Sequence, residues 1–223
     1  WRAVLEVCTP ARVPGVAVRV DPADESSLAI AQAHGLVPRG LHLESELDLA
    51  AVEHLRPLAH APRAADIEIR PLPDDATEQD WRSFHVVYNR LFADAPDVAD
   101  GAEPMPYNVL RAVLVEPWQV TGAWREGELV GLTVVVVRDT AAGRLNTWFT
   151  GVAPQVRGLG LSTALKSAQA LALAEAGWRV IVTQNMEGND AILAANRRLG
   201  FVPTVGSRDL TFDFVAPADA PMG

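Results

Sequence analysis

Residues 152–163 read VAPQVRGLGLST, with glycines at 158 and 160. The residues before them, Arg144 to Val152 (RLNTWFTGV), are rich in aromatic and β-branched types and are expected to form a strand. The residues after them, from about Leu161 to Glu175, are an Ala/Leu run stopped by Gly177, which predicts a helix with a glycine cap. A strand that turns straight into a helix leaves several backbone N–H groups at the helix start without intrahelical partners, aimed at one place. Gly158 and Gly160 remove the Cβ atoms that would collide with a ligand there, and they tolerate the backbone angles such a nest requires. The helix dipole adds positive potential. In outline this is a pyrophosphate cradle, although a G-x-G by itself also suits an ordinary tight strand–helix turn. Arg157 either adds a charge or points to solvent. No Gly-Lys-Ser/Thr follows as in a P-loop, and Thr163 stands where a dinucleotide fingerprint has its third glycine.

Working outward, Ile67 to Pro71 predicts a short strand, Glu78 to Leu91 an amphipathic helix and Tyr107 to Val115 a second helix. Gln119 to Trp124 and Glu128 to Arg138 read as strands joined by a hairpin turn at Arg125-Glu126-Gly127. Trp178 to Thr183 is a continuous apolar run, as in a strand covered on both faces. Asn189 to Leu199 is expected to be helical with Gly200 at its end, and Leu210 to Phe214 to be a last strand. An antiparallel meander followed by helical crossovers makes a mixed α/β (α+β) sheet, not a doubly wound parallel one.

The chain has 223 residues, 49% of them hydrophobic, which is one domain of roughly 150 residues and a fraction more. The single cysteine, Cys8, allows no intrachain disulfide, and no Cys/His cluster has zinc spacing, so no metal site is expected. The formal charge of −9 argues against nucleic acid or an anionic membrane as the main partner. The longest apolar stretch, Val130 to Val137, is far shorter than the ~20 residues of a membrane helix. A cytoplasmic protein is expected. Leu55 to Ala65, with Pro57 and Pro62, suits a linker, and Val215 to Gly223 a frayed tail. Asp94 to Pro106 carries three prolines among Asp94, Asp97, Asp100 and Glu103; it reads as a solvated loop or as one facing a cationic substrate.

Shifting the sequence by 165 positions lays Val16 to Pro38 over Ile181 to Pro203, so that Gly35-Leu36-Val37-Pro38 meets Gly200-Phe201-Val202-Pro203. Each copy runs strand, turn, short helix, glycine and an apolar-Val-Pro exit. This predicts two copies of one domain, the first present only as its C-terminal part. The expected divisions are 1–54 for that part, 55–65 for the linker, 66–214 for a complete domain and 215–223 for the tail. The chain opens on Trp1 rather than methionine, and about a hundred further residues are expected upstream.

Gln155-x-x-Gly158-x-Gly160 after a strand, followed later by Asn185, Asn189, Asn196 and Leu199-Gly200-Phe201, closely resembles the GNAT (GCN5-related N-acetyltransferase) superfamily of acyl-CoA-dependent enzymes. The wording Thr-Gln-Asn, Asn and Asn-x-x-Leu-Gly-Phe further resembles its tandem actinobacterial members. The resemblance covers about residues 67–214. It implies acetyl-CoA as cofactor, with the pyrophosphate held by Gln155, Val156, Arg157, Gly158, Leu159, Gly160, Leu161, Ser162 and Thr163. It also implies that Thr150, Gly151 and Val152 end a strand splayed from its neighbour, leaving backbone groups for the pantetheine arm and an N–H to polarise the thioester carbonyl. Asn185, Asn189 and Asn196 complete the implied cofactor set; for Asn189 a helix N-cap is an equal reading.

Many family members carry a tyrosine where this chain has Asn196, and an amide is no general acid. Tyr88, Tyr107 and Glu187 are candidate replacements, each more simply read as a packing or turn residue, as is His85. No catalytic residue is assigned. The resemblance implies transfer of an acetyl group to a primary amine of a small molecule, by direct attack on the thioester. An inactive CoA-binding structural or sensor domain is the alternative, and acetylation of basic peptides a third. The first GNAT-like part is expected to pack within the same chain.

Overall fold

A computed structural model describes residues 15–21, 23–60, 66–95, 103–204 and 207–213. Trp1, Cys8, residues 61–65 of the expected linker, residues 96–102 of the acidic stretch and the tail 215–223 lie outside the described residues. The elements are β1 (Gly15–Val20), α1 (Glu25–Ala33), β2 (Val37–Asp48), β3 (Ile67–Pro71), α2 (Glu78–Ala93), α3 (Tyr107–Val113), β4 (Val120–Arg125), β5 (Glu128–Asp139), β6 (Arg144–Val152), α4 (Leu161–Glu175), β7 (Val180–Met186), α5 (Asp190–Arg198), β8 (Val202–Pro203) and β9 (Ser207–Asp213). Two compact units result. One holds the described residues up to Ser45, Gln184–Asp190 and those from Pro203; the other holds those of Glu46–Thr183 and Ala191–Val202.

In the larger unit β3, β4, β5 and β6 form an antiparallel meander, and β6 pairs with β7 in parallel. The β4–β5 turn has positive φ at both central residues, Glu126 (52°) and Gly127 (83°), as a two-residue hairpin with matching twist requires. Helix α2 starts at a capping box in which the Thr77 side chain accepts from Asp80 N–H and Asp80 Oδ2 accepts from Thr77 N–H at 2.7 Å. Its buried stripe, Trp81, Phe84, Tyr88 and Leu91, follows the helical period and packs with Val120, Leu132, Val134 and Val156 in one cluster. Helix α4 buries Leu161, Ala164, Leu165, Ala170 and Leu173. A second cluster joins Leu49, Leu55, Leu145, Leu173, Ile181 and Leu199.

Several boundaries differ from the sequence expectation, three of them for reasons visible in the hydrogen bonds and burial. The strand expected from Trp178 begins at Val180, because Trp178 N–H closes the end of α4 on Leu173 C=O (3.0 Å) while Gly177 N–H takes Ala174 C=O, the Schellman pattern. Helix α3 stops at Val113, and the Gln119 side chain then accepts from both Val115 and Glu116 N–H at 3.0 Å. The expected linker opens instead with a 3₁₀ helix, Glu53–Leu58, that includes Pro57 and buries Leu55 completely. Burial of Val52 and Leu55 three apart on one face holds this turn, and Pro57 does not break so short a helix.

In the smaller unit β9 pairs antiparallel with both β1 and β2, and Ala31 and Leu36 are covered by Val18, Val20 and Leu28. Among the described residues no helix is long and apolar enough to cross a membrane.

Candidate functional site

After β6 ends at Val152, Ala153 N–H bonds Val130 C=O (2.9 Å) and Pro154–Val156 make one 3₁₀ turn anchored by fully buried Val156. Gly158 and Gly160 then take left-handed φ of 76° and 84°, and Gly160 caps α4 with no side-chain bond. A Cβ at either glycine would meet nothing within 4 Å, so both face open space rather than packed neighbours. The first N–H groups of α4 thus end at an unfilled concavity, the arrangement that attracts an anion. This is a cleft of about 550 Å³ lined by the end of β6, the cradle loop and the first turn of α4, with Leu91, Asp94 and Phe149 on its other side.

The end of β6 has lost a partner. It pairs with β7 only at Arg144, Leu145 and Asn146, while from Thr147 to Val152 its described pairing is with β5 alone. A bulge places Phe149 opposite Val134 and Thr147 opposite Val135, leaving Trp148 as the extra residue. The side-chain oxygen of Asn146, at the last paired position, is buried without a hydrogen-bond partner among the described residues. Such an orphan acceptor beside freed strand backbone suits a ligand that carries N–H donors. Behind the strand, the Thr150 and Thr133 hydroxyls share a 2.8 Å bond, and buried Gln169 of α4 donates to Thr133 C=O and Gln119 C=O at 3.3 Å each. At Gly151 a Cβ would lie 2.7 Å from the Phe149 ring and 3.0 Å from Leu91 Cβ, so only glycine fits.

Charge is sparse in the cleft. Arg157 donates through Nε to Val152 C=O (3.1 Å) and pairs with the Asp94 carboxylate. One turn beyond Ser162, Lys166 donates to Asn196 Oδ1 at 2.8 Å, and desolvation pushes its ammonium down to about 8. Asn196 is 2% exposed.

Of the residues singled out in the sequence, Thr150, Gly151, Val152, Val156, Arg157, Gly158, Gly160, Leu161, Ser162 and Thr163 come together around this cleft. Gln155 instead lines a separate pocket with Arg125, Glu128 and Val130, and Leu159 packs against the main core. Asn196 meets Lys166, whereas Asn185 in β7 and Asn189 just ahead of α5 fall in the smaller unit. Tyr88 is buried among Phe84, Phe92 and Phe149, and desolvation raises it to about 12. Tyr107 bonds Glu78 (2.9 Å), and neither tyrosine lines the cleft. His85 Nε2 meets Met105 C=O at 2.7 Å, a bond that ties the acidic stretch to α2. Glu187 is exposed, its N–H on Leu41 C=O. Sequence reasoning missed Leu91, Phe149, Asn146 and Lys166. Only the last left a signal: it is the sole lysine in the chain.

No family model matches the chain, and no curated protein matches it. Solved structures do. The GCN5-related N-acetyltransferase of Sphaerobacter thermophilus superposes with a TM-score of 0.70 at 17% identity over 92% of this chain. This chain spans 62% of that protein's length. A tandem GNAT protein from the clavulanic acid biosynthesis pathway gives 0.66 at 22% identity, covering 98% of this chain and 70% of its own. The GCN5-related N-acetyltransferase of Kribbella flavida gives 0.59 at 16% identity, over 96% of this chain and 74% of its own. At such identities the likeness speaks to architecture, and together with the mixed sheet, the parted strands and the glycine cradle it establishes that this chain has the GNAT fold, that of the GCN5-related N-acetyltransferases.

Proposed function

We propose that the larger unit binds acetyl-CoA and transfers its acetyl group to a primary amine of a small molecule. The observation that carries this reading is the pairing of an empty-faced Gly158–Gly160 cradle with a strand end, Thr147–Val152, freed from its parallel neighbour. The backbone N–H groups from Gly158 to Thr163 hold the pyrophosphate, with Arg157 turning from Asp94 to add charge. The freed backbone of β6 and the Asn146 carbonyl receive the amide groups of the pantetheine arm. An N–H at the end of β6 polarises the carbonyl as its charge grows. Bound acetyl-CoA supplies an activated thioester, so the protein's tasks are to orient the amine, let it lose a proton and exclude water. Gln155, Leu159, Asn185 and Asn189 remain proposed members of the cofactor set.

The test is calorimetry with CoA and acetyl-CoA, followed by release of free thiol over a panel of amines. Failure to bind either compound overturns the reading. Binding without turnover on any amine favours the second reading, an inactive CoA-binding structural or sensor domain. That reading is supported by Tyr88 and Tyr107 lying outside the cleft lining and by an amide at position 196. We further propose that the first part of the chain is the C-terminal portion of another GNAT-like domain, that the protein works in the cytoplasm, and that neither nucleic acid nor membrane is its partner. The matching local structure of the two copies and the acidic balance support these points.

A further inference from the structure

Eighteen of the 19 cationic side chains are arginine, and the one lysine is partly buried with its ammonium turned to a second helix. Lys166 stands on α4 three residues past Thr163, the last residue of the cleft lining, or about 4.5 Å along the axis. Its ammonium bonds Asn196 Oδ1 on α5 at 2.8 Å and lies 5.7 Å from the Phe201 ring. Among the described residues it has no ion pair, and desolvation alone shifts it. A poorly hydrated cation without a counter-ion costs stability, and here one hydrogen bond to an amide is what offsets it. Lysine, unlike arginine, can give up its proton there.

Topology says where that charge acts. Helices α4 and α5 are the segments that follow β6 and β7, the two parallel strands that part beyond Asn146 and Val182. A bond from α4 to α5 therefore spans the helices flanking the gap, away from the Gly158–Gly160 loop, whose own N–H groups serve phosphate. Lysine has only donors, so Lys166 also fixes which end of the Asn196 amide is its carbonyl.

Resting on the CoA reading above, we propose that Lys166, bridged to Asn196, is a positioning residue that sets a positive charge at the thiol end of the CoA arm and steadies the sulfur as thiolate. In the transfer the amine nitrogen bonds the carbonyl carbon, the C–S bond breaks with its electron pair on sulfur, and the amine proton leaves to water. A nearby cation lowers the energy of that sulfur anion.

The test reads the sulfur directly. The thiolate absorbance of bound CoA is titrated against pH in the unmutated protein and in Lys166→Met, with calorimetry using desulfo-CoA alongside. The thiol of CoA bound to the unmutated protein should titrate below that of free CoA, and K166M should move the midpoint up by about 1 pH unit. Desulfo-CoA should bind the two proteins within about twofold of each other. An unchanged midpoint overturns the inference, as does an equal loss of affinity for CoA and desulfo-CoA, which would mark a role in the fold or the arm. If K166M does not fold, ¹⁵N-lysine labelling of the unmutated protein yields one signal. It should shift with CoA and stay put with desulfo-CoA, and equal response to both overturns the proposal. Failure of the unmutated protein to bind either compound removes the functional reading itself, and this inference with it.

Discussion

Helices α1 and α5 are alike in length and in how they end. Each is nine residues long, their ends are offset by 165 positions, and each is followed two residues later by a glycine at left-handed φ, Gly35 at 81° and Gly200 at 89°. Yet at matched positions α1 turns Ala31 inward and α5 turns Asn196 inward. Ala31 meets a small apolar cluster of Leu36, Val18, Val20 and Leu28, whereas Asn196 meets Lys166. A buried amide persists only with a hydrogen-bond partner, so α5 had to be matched to α4, while α1 needed only apolar neighbours. The helix and its glycine cap are thus local scaffolding that both segments share, and what each buries is set by its neighbours.

The largest expected effect separates the glycines. Gly160→Glu should abolish CoA binding, by on the order of 100-fold or more in calorimetry, because it fills the open face with a bulky anion. Gly35→Ala, at the glycine that follows α1, should cost stability and leave CoA affinity within about twofold. Unchanged affinity in G160E would break the assignment of the cradle.

Exchanging the two inward residues sharpens the comparison. Asn196→Ala leaves Lys166 without its acceptor and should cost about 1–3 kcal/mol in urea unfolding. Ala31→Asn should destabilise by a similar amount, since it buries an amide among apolar side chains. A neutral N196A would show that the amide is not holding the cation.

A smaller effect is the pH dependence. Lys166 is lowered from 10.5 to about 8, so between those values the unfolded chain binds the extra proton. Stability relative to K166M should therefore rise as pH increases from about 8 to 10.5, with the burial penalty fully present below that window. Thermal melts across it check the sign; a falling difference would contradict the burial of the ammonium.

Smallest of all is Asp94→Asn. Its ion pair with Arg157 is half-exposed on both sides, so the loss of stability should stay below about 1 kcal/mol. CoA affinity should rise modestly as Arg157 is released and a carboxylate leaves the cleft. Weaker binding would show that Asp94 instead presents Arg157 to the ligand.

Much of this was legible because it is written locally. Gly158 and Gly160 between a β-branched run and an Ala/Leu run announce a strand–loop–helix cradle, and Arg144–Val152 and Leu161–Glu175 form as expected to the residue. The capping box at Thr77 and the turn at Glu126-Gly127 are likewise properties of a few adjacent side chains. The Glu53–Leu58 turn was not legible, since Pro57 speaks for a break and only burial of Leu55 in a distant cluster overrides it. Nor was the fate of Gln155 and Asn196, two polar residues the motif groups together and the chain directs to different neighbours.

The sequence by itself determined the order of elements and the position of the glycine loop between β6 and α4, because backbone preference and hydrophobic period act over a few residues. Tertiary structure alone decided where β6 and β7 part, after three pairs, that the Asn146 side-chain oxygen finds no partner among the described residues, and that the one lysine crosses 30 residues of chain to an asparagine. Those outcomes depend on how sheet twist, a bulge at Trp148 and helix packing compete for the same space, and no local pattern encodes that competition.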